Sequence, residues 1–173
     1  MVTRLFLLIL FVILVSTGGR ASAAPSRSRL VIHPVVTAEL TSLLSAGDLL
    51  HEALVKQDDE QVEVALKDIE QALKRTIAAS RVLRPYERSH LLKLLEVMQE
   101  HAEVARNSGH SDRRERLVDI FNNLAILVRV YSVDARFKIF FCGKDRMTWV
   151  QTKARGQHPF PEGMDRDCAV RAP

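Results

Sequence analysis

Reactive side chains are scarce in this chain, which has two cysteines, one tryptophan, two tyrosines and six histidines among 173 residues. It carries no G-x-S-x-G elbow, no glycine loop of the phosphate-binding kind and no calcium loop of alternating acids. The nearest approach to a zinc-protease helix, His51-Glu52, is followed by Ala53, Leu54 and Val55 rather than by a second histidine at the required spacing. The cysteines lack the C-x-x-C spacing that lowers a thiol pKa. These absences remove the common hydrolase, nucleotide-binding, zinc-protease and dithiol-oxidoreductase readings, and the chain reads as a protein that is not an enzyme. No basic stripe with interleaved aromatics is present, so nucleic acid is not an expected partner. A single long apolar run occurs, Leu5 to Val15, so no membrane span is expected beyond it.

That run is informative. Arg4 precedes it, and Ala21-Ser22-Ala23 follows as a small-x-small cleavage signal, so residues 1–23 read as a signal peptide. Periplasmic or secreted localisation follows. Cleavage would remove Arg4 and Arg20 and lower the formal charge from +4 to +2, leaving a nearly neutral protein long enough for one domain with a sizeable core. In an oxidising compartment Cys142 and Cys168, 26 positions apart, pair without leaving a thiol over. Closing such a loop stabilises a fold by about 3 to 4 kcal/mol in the chain-entropy model.

Residues 24–36, with Pro25, Pro34 and intervening Ser and Arg, read as a flexible lead-in. From Thr37 the apolar residues recur at helical spacing: Leu40, Leu43, Leu44, Leu50, Leu54 and Val55. Gln57-Asp58-Asp59 interrupts the pattern and offers an N-cap to a second helix, Asp59 to Ser80, with stripe Val62, Leu66, Ile69, Leu73 and Ile77. Pro85 opens a third with Leu91, Leu94, Leu95, Met98, Ala102 and Ala105. After Asn107-Ser108-Gly109, Ser111 or Asp112 caps a fourth with Leu117, Ile120, Phe121, Leu124, Leu127, Val128 and Tyr131. The fold expected is all-α: an antiparallel four-helix bundle over residues 37–133, with an irregular C-terminal cap of the same domain over 134–173, stapled by the cysteines.

Within the cap, Phe137 to Cys142 reads as a short extended segment, and the glycine- and proline-rich remainder as irregular chain fastened by Trp149 and Phe160. Met147, His158 and Met164 lie between the cysteines, and thioethers with an imidazole suit a soft metal such as copper(I); reduced cysteines would themselves be ligands. Packing under Trp149 is the competing role for the methionines. His51 and His101 lie near the buried stripes of helices one and three, where a facing pair could bind metal. Without a Glu-x-x-His companion, satisfied and partly buried histidines are the simpler reading. His33, His90 and His110 sit at polar or loop positions and carry no signal.

Phe121-Asn-Asn-Leu124, an aromatic segment ending at Cys142, Trp149-x-Gln151, His158-Pro159-Phe160, Met164 and Cys168 together resemble an uncharacterised exported bacterial domain family. That family occurs alone or appended to periplasmic adaptor subunits of copper and other heavy-metal efflux systems. The resemblance is specific over residues 116–168 and loose elsewhere. Cys142, Trp149, Gln151, Pro159, Phe160, Met164 and Cys168 match the family pattern, while Cys142-Gly143-Lys144 replaces its usual Cys-Pro-Met and His158-Pro159-Phe160 its Asn-Pro-Tyr. It implies a link to metal homeostasis, with Trp149, Gln151, Pro159 and Phe160 as structural cap residues.

Two functions therefore stand as expectations. The first is an exported, non-enzymatic accessory or binding protein of the bacterial envelope that holds copper or another soft metal at Met147, His158 and Met164, partnered by a metal-efflux component. The second is a protein-interaction or scaffolding module for an envelope partner, with a purely structural disulfide and no metal.

Overall fold

The computed structural model describes residues 29–160 and 168–172. The proposed signal peptide and residues 24–28 of the lead-in lie outside them, as does Met164. Among the described residues four long helices occur, α1 (Pro34–Lys56), α2 (Asp59–Ala79), α3 (Pro85–Asn107) and α4 (His110–Val130), with a 3₁₀ turn, Ser80–Val82, after α2. Each helix packs against the one that follows it. Among the described residues no helix is long and apolar enough to cross a membrane.

The helix limits follow from local chemistry. Pro34 occupies the first turn of α1, where its missing N–H costs nothing, and the His33 ring accepts from Val35 N at 3.3 Å as the cap. The helix therefore starts three residues earlier than the Thr37 read from periodicity, and the end of the supposed flexible lead-in is helical. Gln57 stops α1 in the left-handed conformation (φ 56°), and Asp58 accepts from Gln61 N at 3.0 Å to start α2. The α4 cap is Gly109 rather than Ser111 or Asp112.

The buried stripes meet in one core that includes Leu40, Leu43, Leu50, Leu66, Ile69, Leu73, Leu91, Leu95, Ile120 and Phe121. Where α1 crosses α4, Gly47 faces Leu124 so closely that a Cβ there would stand 2.5 Å from the leucine Cδ1. The absent side chain is what lets the two helices meet.

The all-α expectation and the irregular cap are corrected by a three-stranded sheet in the order β2-β1-β3. Strand β1 (Lys138–Cys142) pairs antiparallel with β2 (Met147–Gln151) and with the two-residue β3 (Val170–Arg171). Aromatic and branched residues favour this geometry. The segment read as extended from Phe137 to Cys142 is thus β1, but β2 hid from the alternation test because four of its five residues are buried. Strand β2 packs on α4, with Thr148 N donating to Asn122 Oδ1 at 2.9 Å, and also touches α1. Upstream, Leu30 forms a parallel bridge with Tyr131, strapping the chain's entry to the end of α4.

Candidate metal centre

The sheet places Cys142 at the end of β1, directly opposite Met147 in the ladder, so both side chains leave the same face. Both residues are fully buried. Cys142 is disulfide-bonded to Cys168, with their Cα atoms 5.1 Å apart, as parity and compartment led one to expect.

His158 reaches the same place from the loop that follows β2, and that loop is shaped by one amide. Gln151, wholly buried, accepts from Trp149 Nε1 at 2.9 Å and from Gln157 N at 3.1 Å through Oε1. Its Nε2 donates to the carbonyls of Lys153 (3.2 Å) and Arg155 (2.7 Å). Every hydrogen-bonding direction of the side chain is used to fold residues 152–157 back on the strand. Gly156 sits inside this turn, where a Cβ would come 2.5 Å from Phe140 Cδ1 and 2.8 Å from Ala169 Cβ.

Helix α1 clamps the same loop from outside. Asp48 accepts from Thr152 Oγ1 at 2.7 Å and from its N–H at 3.2 Å, and Glu52 pairs with Lys153 at 3.0 Å. His51 donates through Nε2 to the Gln157 carbonyl at 2.7 Å, its ring edge-on to Phe121. Burial pushes the His51 pKa down, against the carbonyl contact and the carboxylate of Asp48, so the ring is neutral near pH 7. His51 is therefore a buried histidine that anchors the loop through Nε2, while its Nδ1 has no hydrogen-bond partner among the described residues. Its supposed partner, His101, lies instead beside Asp119 (3.6 Å) and Arg116 (3.5 Å).

His158 is buried with its ring edge-on to Trp149 at 5.2 Å, while Trp149 stacks on Phe140 at 6.0 Å. Nδ1 lies 3.1 Å from both the N–H and the carbonyl oxygen of Phe160, which hold the ring in place. Asp145 Oδ2 stands 3.0 Å from the buried Nε2, so a carboxylate faces this nitrogen directly. Burial lowers the His158 pKa more than the Asp145 carboxylate raises it, keeping the ring in its ligand form.

One ligand atom from each of Cys142, His158 and Cys168 lies within 4.8 Å of the others. Sulfur, sulfur and imidazole nitrogen form a donor set suited to a soft cation once both sulfurs are thiolates; joined to each other, they are a staple. Of the three soft ligands read from the sequence, His158 joins the cluster and Met147 adjoins it through register with Cys142, while Met164 lies outside the described residues. Sequence reasoning missed Asp145, whose position in the β1–β2 turn gives it no motif, and the clamp formed by Asp48 and Glu52.

Pro159 and Phe160 continue from the site into one wall of an open cleft of about 390 Å³. Leu54, Val62 and Leu117 also line it, and the Arg114 guanidinium lies 4.8 Å over the Phe160 ring. His33 and His90, which carried no sequence signal, have structural roles: His33 caps α1, and His90 Nδ1 lies 2.9 Å from the Tyr131 hydroxyl. Comparison with protein-family models, curated proteins and solved structures finds no match to this chain.

Proposed function

We propose that this chain is an exported, non-enzymatic accessory protein of the bacterial envelope, in which a bundle of four helices supports a cap that binds a soft metal ion. The observation that carries the reading is the convergence of Cys142, His158 and Cys168, with Met147 beside them. The His158 ring, buried and kept neutral because burial lowers its pKa, supports it further. Copper fits the donor chemistry, because thiolates and thioethers favour its monovalent state. The resemblance over residues 116–168 supports the same metal and a partner in a metal-efflux system. Residues 1–23 support export, to the periplasm or beyond. The test is an anaerobic titration with copper(I) against a competing chelator, counting free thiols in the same sample. Binding of one equivalent, weakened in the double variant Met147→Ala/His158→Ala, is the expected result; no binding in either redox state refutes the metal reading.

A second reading is favoured by the bond between the cysteines, which leaves neither sulfur as a thiolate. In it the disulfide is purely structural, and the helices with their cleft serve as an interaction module for an envelope protein. It expects the melting temperature to fall on reduction and to ignore added metals.

A further inference from the structure

We infer that the Cys142–Cys168 disulfide is a redox switch on the cap's metal site: the oxidised protein is closed to metal, and two-electron reduction creates a two-thiolate, one-imidazole centre for a soft d10 cation. The inference rests on the metal-binding reading and specifies how that site is regulated.

The mutual exclusion is geometric. The two sulfurs that are bonded to each other are the same two whose ligand atoms meet His158 within 4.8 Å, so the cluster holds either a covalent bond or a cation. Two thiolates sharing a cation at ordinary metal–sulfur distances lie roughly 3.5 to 4 Å apart, so opening the bond by an ångström or two makes the site. The third ligand does not depend on the bond. His158 is positioned by Phe160 N, by Trp149 and by the loop that Gln151 and His51 hold in place, and none of these contacts involves sulfur.

The two halves of the bond are also unequal. Cys142 is fully buried and paired with Met147 in the β1–β2 ladder, whereas Cys168 is half-buried and lies outside the ladder, ahead of the two-residue β3. Exchange therefore enters at Cys168. The thiolate of an exported dithiol donor attacks the Cys168 sulfur, the Cys142–Cys168 bond breaks, and Cys142 leaves as a thiolate beside His158. The donor's second thiol then attacks its own sulfur in the mixed disulfide and releases Cys168. Two electrons pass from donor to protein, the donor becomes a disulfide, and its two thiol protons balance the two new protein thiols. Cation binding then displaces protons from both thiols, so the metal-loaded form resists reoxidation.

The switch is tested by titrating the air-oxidised and the reduced protein with copper(I), and separately with zinc, under anaerobic conditions with competing chelators. Thiolate-to-copper charge-transfer absorption reports the ligands, and far-UV ellipticity with Trp149 fluorescence reports folding. The reduced protein is expected to bind one cation about 100-fold or more tightly than the oxidised protein. His158→Ala in the reduced state should weaken binding by about 10-fold or more while leaving the thiolate absorption. Bound cation should also slow reoxidation by a disulfide donor. Equal affinity in both redox states would overturn the switch while leaving the metal reading intact, with the ligands on Met147 and His158. Absence of binding in both states would overturn the metal reading itself. Loss of the Trp149 signal on reduction that neither cation restores would also overturn the switch, because no preformed third ligand would then survive.

Discussion

Reducing Cys142–Cys168 in the presence of a metal chelator removes a cross-link and almost no atoms, so the response measures chain connectivity. The bond closes a loop with a sequence separation of 26. In the chain-entropy model a loop of that length restricts the unfolded state by about 3.5 kcal/mol at 25 °C, which corresponds to a fall in melting temperature on the order of 10 °C for a domain of this size. The structure also specifies how the loss is distributed. Strand β2 is packed on α4 through Thr148 and Asn122, and α1 grips the following loop through Asp48, His51 and Glu52. Cap and helices should therefore unfold as one unit. Urea unfolding followed by the fluorescence of Trp149, the sole tryptophan, and by far-UV ellipticity checks this directly. Both transitions should move together to lower urea on reduction. A stability loss below about 1 kcal/mol would refute the loop-closure argument. A shift in the Trp149 transition alone would refute the coupling of the cap to the helices.

Other perturbations test separate contacts. Asp48→Ala leaves the N–H and hydroxyl of Thr152 without their acceptor and should cost about 1 to 3 kcal/mol in urea unfolding, whereas an effect near zero would mean that the clamp is idle. Gly156→Ala drives a methyl group between Phe140 and Ala169 and should destabilise by about 1 to 3 kcal/mol; unchanged stability would show that the turn relaxes freely. For His51 the folded-state pKa lies below its ordinary 6.5 because of burial, so the unfolded chain takes up the proton first as pH falls. Its contribution is complete above about pH 6.5 and is lost as pH drops through the lowered folded value. Stability should decline from pH 7 toward pH 5, and His51→Gln should flatten part of that slope; a wild-type protein more stable at pH 5.5 than at pH 7.5 would reverse the sign and refute the assignment.

The helices were legible because their signals are local. The spacing of Leu40, Leu43, Leu44 and Leu50 marks one face of one element, and Gln57-Asp58-Asp59 carries both a stop and a start. The start of α1 was less so, since a histidine acting as cap ahead of a proline is a weaker cue than a serine or aspartate. Strand β2 gave no alternation because it is covered on both faces, and β3, with two residues, is too short to show any period. The cysteine pair could be read from parity and compartment. The nearness of His158 to both sulfurs could not, because it depends on the Gln151 side chain folding residues 152–157 back over the strand, a contact set by tertiary structure.

The strap at Leu30 has a mechanical consequence. Leu30 N donates to the Val130 carbonyl at 2.7 Å and Ser132 N donates to the Leu30 carbonyl at 2.8 Å, where α4 gives way to the cap. Tension applied upstream, by a tether or a fused partner, is met first by these two hydrogen bonds and the buried Ile32. They are the first contacts that such a pull would load, ahead of α1 and of the cysteine-linked sheet.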